Sequence, residues 1–573
     1  MNEAQIDSPP PAEAPLPATA GLSALLAAGL AGGCGGGGGG GSAAAPAPTP
    51  PPTASVTAPE AVRFLAQASF GANDAAIDEV VASGYAGWIE AQFARPQTLH
   101  RTHVESVIDP AQPLQQVYRD AVLDTFWTQA ITGADQLRQR VAFALSEIFV
   151  VSQLTGTINQ RPRGLADYLD MLGREGFGSF RTLLERVSLH PIMGLYLSHL
   201  RNQKEDPATG RVPDENYARE VMQLFTIGLY QLNADGSDRL NGQGERIATY
   251  GNDDVTGLAR VFTGWSWAGP DTSGQRFFGG AADPDRDVLP MQGYPQYHST
   301  ADKRFLGVTI PANTGPTESL RIALDTLANH PNVGPFFGRQ LIQRLVTSNP
   351  TPAYVGRVAA AFNDNGRGVR GDLKAVLRAV LLDNEARGAD GLADPQFGKL
   401  REPVLRLAVW ARAFKATSTS GGWRIRSTSD ASTQLGQTPL RAPSVFNFFR
   451  PGYVPPNTSI AAAGLVAPEF QIAGETSVAG YLNYMRNVIT NGAGAGTDVR
   501  SAYTDEIALA TDPQRLVERV ELLLTGSQLA SATRTAIRDA VAAIPAESAN
   551  AAANRARLAV FLVMAAPEFI VQS

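Results

Sequence analysis

HPIMGLYLSHLRNQKEDPATGRVPDENYAREVMQLFTIGLY, residues 190–230, predicts a helix, a polar loop and a second helix around which the rest of the chain is organised. Pro213 and Asp214 mark the start of the second helix, and Asp214 is its predicted N-cap. At 100° per residue the second helix separates into a polar arc and a packed side. The residues of the polar arc are Glu215, Asn216, Arg219, Glu220, Gln223 and Thr226, and the apolar Ile227 also falls on this arc. The residues of the packed side are Tyr217, Val221, Met222, Leu224, Phe225 and Leu229.

Two interpretations of the polar arc are open. In the first it is a solvated surface, on which Glu215 and Arg219 have the favourable i,i+4 order and stabilise the helix by about 0.2–0.5 kcal/mol. In the second it faces a cleft, where Glu220 acts as an acid, a base or a ligand. Burial separates the two interpretations, because a carboxylate in a low-dielectric site must be paired or have a raised pKa.

Further stretches carry a resemblance to a known family. DENYAREVMQLFTIGLYQLN at 214–233 lies between LADYLDML at 165–172 and VFTGW at 261–265. Other stretches in matching order are RFLAQASFGA at 63–72, RVAFALSEIFVVS at 140–152, HPNVGPFFGRQLIQRLVTSNP at 330–350, KLREPVLRL at 399–407 and QTPLRAPSVFNFFRPGYVPP at 437–456. From about residue 60 onward the chain therefore resembles the bacterial family of domain of unknown function 1800. The resemblance implies a fold more than a chemistry, because the family is named for the lack of an assigned activity.

The resemblance also points to site residues. The positions that match best are Glu215, Asn216, Arg219, Glu220, Thr263, Gly264, Trp265, His298, Lys303, Arg441, Pro443 and Ser444. From them we predict the catalytic residues Glu220, His298 and Lys303, and the substrate-binding residues Glu215, Asn216, Arg219, Trp265 and Arg441. No metal ligand is predicted. Other branches of the family often have His in place of Phe225 and Asp in place of Ser299, which counts against a shared metal-dependent mechanism.

Composition limits the class of protein. The chain has 573 residues, enough for several domain-sized cores, and 44% of them are hydrophobic and 18% charged. Its net charge of −6 and pI near 5.7 argue against nucleic acid as the principal partner. No apolar run reaches the roughly 18 residues that a membrane span requires.

The first 58 residues differ from the rest. The short apolar run GLSALLAAGLA is followed by Cys34, then by seven glycines, Gly35 to Gly41, and a Pro/Ala/Thr tract. We interpret residues 1–34 as an atypical lipoprotein signal that places a lipid on Cys34, and residues 35–58 as a flexible linker. The signal is atypical because no Lys or Arg precedes Arg63 and because Ala31 occupies the position where such signals usually have Leu. The alternative is an uncleaved tail.

From residue 59 to 573 the pattern predicts a predominantly α fold: one large multi-helix body with an irregular, short-strand insertion at about 233–316. Asp235 to Asp238 within it predict a turn rather than a calcium loop. The segment 268–316 carries His298 and Lys303 on an aromatic loop, and long irregular segments of this kind often have a function. We also predict a structural ion pair between Arg140 and Glu147.

Several familiar chemistries lack their motifs. No HExxH, CxxC or paired-histidine spacing supports a zinc site, and no GxSxG elbow supports a serine hydrolase. No GxGxxG opens a helix after a strand, so a dinucleotide site is not predicted. The cofactor, if there is one, is left open.

Two functions are compatible with these observations. The first is a protein tethered to the cell envelope, periplasmic or on the outer surface, that binds or assembles with an envelope polymer or a secreted, sulfatase-like partner. The second is an exported hydrolase that acts on envelope or extracellular polymers through a polar pocket around Glu220, Arg219 and His298. In both, the chain meets a membrane only through its lipid anchor, and whether it is an enzyme is left undecided.

Overall fold

Helices make up 54% of the structure, which has 26 of them and only short antiparallel strand pairs in its described part. The computed structural model describes residues 56–108, 116–281 and 283–573, which belong to the compact unit Ser55–Ser573. The prediction of a predominantly α, multi-helix body is confirmed. The predicted signal, Cys34 and the linker up to residue 55 lie outside the described residues. None of the helices in the described ranges is long and apolar enough to cross a bilayer.

The elements before the insertion are nearly all helical. They are α1 (Ala58–Ala68), α2 (Asp74–Ala94), α3 (His100–Val107), α4 (Gln116–Thr132), α5 (Gln136–Ser146), α6 (Gly156–Asn159), α7 (Pro162–Glu175), α8 (Phe180–Leu189), α9 (Pro191–Tyr196), α10 (Asn216–Glu220) and the π-helical segment Val221–Thr226. Short elements fill the region that follows. They are α11 (Asn252–Ala259), a 3₁₀ turn (Arg260–Phe262), β1 (Trp265–Ser266), α12 (Gly274–Phe277), β2 (Gln292–Gly293), a 3₁₀ turn (Pro295–Tyr297), β3 (Lys303–Phe305) and β4 (Val308–Ile310).

The remainder returns to helices. They are α13 (Pro316–Asn329), α14 (Val333–Leu345), α15 (Pro352–Asn363), α16 (Leu373–Leu381), α17 (Asn384–Arg387), α18 (Ala389–Ala393), α19 (Pro403–Ala413), α20 (Ser459–Ala462), α21 (Glu475–Asn491), α22 (Thr504–Ala508), α23 (Pro513–Thr525), α24 (Ser531–Ala542), α25 (Ala551–Ala565) and α26 (Pro567–Ile570). Among them lie 3₁₀ turns at Pro468–Ile472 and Ala495–Thr497, and the strands β5 (Lys399–Leu400), β6 (Thr417–Ser418), β7 (Val499–Arg500) and β8 (Val571–Gln572). Strand β5 pairs with β8 and β6 pairs with β7, both antiparallel.

Helix α1 illustrates how the core is assembled. A capping box fixes its start, because the Thr57 side chain accepts from the Glu60 N–H while the Glu60 carboxylate accepts from the Thr57 N–H at 2.8 Å. Its buried Phe64 meets Trp88 of α2 edge-on, with 5.2 Å between ring centroids. Helix α1 also packs on α23, so distant parts of the sequence share one core.

The insertion is irregular, as predicted. Its strands form two small antiparallel pairs, β1 with β2 and β3 with β4, and Tyr230 bridges to Ala248. The Asp235 carboxylate accepts from the Ser237 N–H at 3.0 Å, which makes the Asp235–Asp238 stretch a turn, as predicted.

The central helix differs from its prediction. It begins at Asn216, so Glu215 rather than Asp214 occupies the N-cap position, although the Asp214 carboxylate accepts from the Asn216 N–H at 2.8 Å. After Glu220 the hydrogen-bond offset lengthens to that of a π-helix. The extra residue per turn rotates all later side chains by roughly 100° relative to an α-helix. Consequently Thr226 and Ile227 are buried, whereas Leu229, predicted on the packed side, is 47% exposed.

Candidate functional site

Glu220 is the last α-helical residue before the π-helical segment, and its carboxyl group points into the protein. The residue is 8% exposed, and its Oε2 has no hydrogen-bond partner among the described residues. Burial raises the pKa of Glu220 to about 7, and the positive charge of Arg219 offsets only part of that effect. The Glu220 charge also acts on Tyr196 and Tyr250, raising the pKa of each in addition to the larger effect of burial. This carboxyl group can therefore hold or release a proton near neutral pH.

Three other polar residues of the arc, Glu215, Asn216 and Arg219, lie nearer the surface. Arg219 Nη2 is 3.2 Å from Glu215 Oε2, the i,i+4 pair expected from the sequence, and the Arg219 side chain is 43% exposed. Thr256 Oγ1 donates to Glu215 Oε1 at 2.8 Å, and the exposed Asn216 reaches Ser198 Oγ at 3.4 Å. The polar arc thus includes a buried acid, Glu220, and an ion pair near the surface between Glu215 and Arg219.

His298 is packed rather than open. Its Nδ1 lies 2.8 Å from the Thr263 carbonyl oxygen and its Nε2 3.2 Å from Ser319 Oγ. Gly264 makes this packing feasible, because it has a φ of +73° and a Cβ there would approach His298 N to 2.7 Å. Burial lowers the pKa of His298 to about 4, so the imidazole is neutral at physiological pH.

Lys303 is adjacent to His298 and fully buried. Its amine donates to the carbonyl oxygens of Ser299 at 3.0 Å and Ala301 at 3.3 Å, and burial lowers its pKa. Glu205 joins this group, because Ser299 Oγ donates to its Oε1 at 2.8 Å. The second Glu205 oxygen has no partner in the described part of the chain. Sequence analysis missed Glu205, which lies in a polar loop without a helical pattern.

The predicted site residues do not form one constellation. Trp265 is buried and donates to the Val261 carbonyl at 3.2 Å, and Arg441 donates to Gln153 Oε1 at 3.4 Å. The structure brings His298 and Lys303 together, but no hydrogen bond or ion pair of the described residues joins Glu220 to either. The catalytic and substrate-binding roles of all these residues remain predictions. In the same ranges, no group of three or more His, Cys, Asp or Glu residues is arranged to hold a metal ion.

A second group of polar residues lies in the interior, at a place where several of the stretches that carry the family resemblance meet. We call it the charged cluster; its members are Arg140, Glu147, Arg344, Lys399, Glu402 and Glu469, each at most 4% exposed. Lys399 Nζ is 3.0 Å from Glu469 Oε1 and 3.6 Å from Glu402 Oε1. Arg344 Nη1 is 3.4 Å from Glu147 Oε2. Sequence alone could not join these residues, since Glu147 and Arg344 are 197 positions apart.

The predicted ion pair between Arg140 and Glu147 is wrong. Arg140 Nη2 instead donates to the Arg344 carbonyl at 2.6 Å, while Glu147 pairs with the Arg344 side chain. The reason is that Glu147 follows the end of α5 as its C-cap, so its side chain is directed toward α14 and not back along α5.

Two carboxyl groups of the charged cluster, those of Glu147 and Glu402, affect each other's pKa. Burial and the neighbouring Glu402 raise the pKa of Glu147 well above its usual range. Burial acts on Glu402 in the same sense, but Lys399 and Arg140 outweigh it and lower the pKa of Glu402. The pKa values of the two carboxyl groups are thus shifted in opposite directions, so Glu147 holds a proton more readily than Glu402 does. Gln437 Nε2 donates a hydrogen bond of 2.7 Å to Glu402 Oε2, which stabilises the charged form of Glu402.

An apolar cavity of about 370 Å³ lies beside the charged cluster, with Glu469 on its wall. Its lining is mostly aliphatic and aromatic and includes Leu400, Pro403, Leu435, Phe470, Ile472, Ala473, Val478, Tyr481, Leu482, Ala565, Ile570 and Val571. The polar members of the wall are Arg406, Glu469 and Ser477. The volume lies within the range of about 300–1,000 Å³ that is typical of ligand pockets. None of the site residues predicted from sequence lines it.

The fold and these sites define a predominantly helical protein with a charged interior and an adjacent apolar cavity. A family model described as "Protein of unknown function (DUF1800)" matches residues 63–571, and the chain belongs to that family. The resemblance found in the sequence is thereby confirmed. No curated protein and no solved structure matches the chain.

Proposed function

We propose that this protein is a binding protein of the cell envelope that holds an apolar ligand in the cavity beside the charged cluster. The observation that carries the proposal is the cavity itself, whose wall is almost entirely apolar and which is large enough for a small organic molecule. Burial of apolar surface would supply the affinity, at about 25 cal/mol per Å² removed from water.

The state of two predicted catalytic residues, His298 and Lys303, also favours binding over catalysis. Both ring nitrogens of His298 and the amine of Lys303 are already engaged with neighbouring groups. A general base or nucleophile needs a free polar atom within reach of a substrate, which neither residue offers.

The envelope location rests on the predicted lipid attachment at Cys34. A lipid on this residue and the glycine tract after it would tether the helical body while leaving it free to meet partners. An envelope polymer or a secreted, sulfatase-like protein remains the proposed partner. Metabolic labelling with a radioactive fatty acid, compared between the native chain and Cys34→Ala, tests the tether; label in both would contradict it.

The binding proposal is tested by filling the cavity. Ala473 lines the cavity and is half-buried, so Ala473→Trp should occupy the space and weaken binding of a neutral apolar fluorescent probe, N-phenyl-1-naphthylamine, at least tenfold. The matched control is Ala463→Trp, because Ala463 is exposed and not part of the cavity wall. Equal probe affinity in both variants would contradict the proposal.

A second candidate function is acid–base catalysis at Glu220, favoured by its buried, unpartnered carboxyl group and its pKa of about 7. A panel of glycan and ester substrates, combined with metal analysis, tests this possibility. Activity that is lost in Glu220→Gln and that changes around pH 7 would support catalysis there. Activity that is unchanged in the variant would remove Glu220 from consideration.

A further inference from the structure

Two arginines next to the cavity lack an acidic partner. Arg401 and Arg406 are 5% and 7% exposed, and neither forms an ion pair within the described residues. Each instead stacks on an aromatic ring, Arg401 on Phe569 at 4.5 Å and Arg406 on Tyr481 at 4.7 Å. The charges of Glu402 and Glu469 act on Arg406 without forming an ion pair with it. A buried guanidinium that no carboxylate pairs directly is suited to accept an anion.

The charges nearby do not remove this excess. Together with Arg401 and Arg406, the charged cluster contains five cations but three carboxyl groups, Glu147, Glu402 and Glu469. Glu469 lines the cavity, yet its Oε1 is held by Lys399 at 3.0 Å. Glu402 is likewise engaged with Lys399 and Gln437. At least two positive charges therefore remain unmatched, and more when Glu147 is protonated.

Arg406 is the residue that can present this charge to a ligand. Its Nε donates to the Arg401 carbonyl at 2.7 Å, which fixes the orientation of the guanidinium plane. The hydrogen bond through Nε is the only one that the Arg406 side chain makes to another of the described residues, and the side chain forms part of the cavity wall. The guanidinium fork matches the two oxygens of a carboxylate in a bidentate arrangement.

We propose that the cavity binds an amphipathic carboxylate with a single aliphatic chain, whose head group pairs with Arg406 and whose chain lies among Leu400, Ile472 and Val478. The inference rests on the proposed binding function and adds the chemical class of the ligand. An aliphatic chain fits because branched aliphatic side chains and proline dominate the wall, and they offer contact area without directed polar groups.

The test compares an acid with its uncharged ester. Displacement of the fluorescent probe from the delipidated full chain is measured with dodecanoate and with methyl dodecanoate. We expect dodecanoate to bind more tightly than the ester, and Arg406→Gln to weaken dodecanoate binding roughly 10- to 100-fold while leaving the ester unchanged. From octanoate to dodecanoate, each added methylene should strengthen binding about fourfold until the cavity is filled.

Further variants separate the proposed binding function from the proposed carboxylate ligand. Arg486→Gln removes an exposed arginine from α21, the helix that also carries Tyr481, and should leave both affinities unchanged. Arg406→Lys keeps the positive charge but loses the two-pronged guanidinium, so it should bind dodecanoate with intermediate affinity. This intermediate affinity would show that the weaker binding of Arg406→Gln is not caused by misfolding. Equal binding of acid and ester, unaffected by Arg406→Gln, would overturn the carboxylate while the binding function stands. Failure of every probe to bind the native chain would overturn both.

Discussion

At the scale of single residues, the most informative group is the carboxyl of Glu220. Its place inside the protein was one of two open interpretations of the sequence, because periodicity assigns a residue to a face but cannot say whether that face meets water. The structure assigns Glu220 to the interior and Glu215 and Arg219 to the boundary with solvent. Residues that are neighbours on the same polar arc therefore differ in burial, and the burial of each depends on the residues packed around it.

Glu220 should make stability depend on pH. Its pKa in the folded state, about 7, lies above the ordinary value of 4.5, so the folded state binds the proton more tightly than the unfolded state. The stabilisation by that proton is complete below about pH 4.5 and is lost as the pH rises through 7. Between pH 4.5 and 8, the free energy of unfolding of the native chain should therefore fall by roughly 3 kcal/mol more than that of Glu220→Gln.

Urea unfolding at several pH values measures this difference. Glu215→Gln is the matched control, because Glu215 lies on the same helix but is hydrogen-bonded and reaches the surface. If the native chain and Glu220→Gln lose stability in parallel, Glu220 is not protonated in the folded state.

At the scale of elements, helices were predictable because their apolar residues repeat with a period of 3.6. The sequence pattern predicts helices at 317–329, 332–347 and 352–364, and α13, α14 and α15 lie close to these segments. The π-helical segment was not predictable, because its hydrogen-bond offset leaves no mark in composition. The charged cluster was also missed. Its members come from α5 and its C-cap, α14, the β5–α19 segment and the 3₁₀ turn Pro468–Ile472, and only folding brings them together.

The π-helical segment is held in part by one side chain. Thr226 Oγ1 donates to the Val221 carbonyl at 2.5 Å inside the core. Thr226→Val keeps the shape but removes the donor and should destabilise the protein by about 1 kcal/mol. Thr226→Ser retains the hydroxyl group that Thr226→Val removes, so it is the control variant for the loss of this hydrogen bond. Chemical denaturation of both variants measures the effect, and equal stability of Thr226→Val and the native chain would contradict it.

At the scale of the whole molecule, the last residues close the region around the cavity. Strand β8 pairs with β5, placing Gln572 opposite Lys399, and Gln572 Nε2 donates to the Leu345 carbonyl at 2.8 Å. Val571 is itself part of the cavity wall. Stability of the charged interior and the shape of the cavity therefore depend on the same short strand pair.

Removal of residues 571–573 should lower the free energy of unfolding by about 2–3 kcal/mol, because it removes several buried hydrogen bonds. It should also weaken probe binding, because one side of the cavity opens. Removal of Ser573 alone is the control, since it leaves β8 intact. Thermal unfolding and probe titration measure the two effects, and a change in neither would show that β8 is dispensable.

The raised pKa of Glu147 has a consequence for the entire fold. Glu147 is 3% exposed, and its carboxyl group contacts Arg344 and Asn447, which come from distant parts of the chain. As the pH rises through about 8, we expect Glu147 to lose its proton. Two neighbouring carboxylates would then be charged in the interior, so we expect the protein to lose stability in alkaline solution.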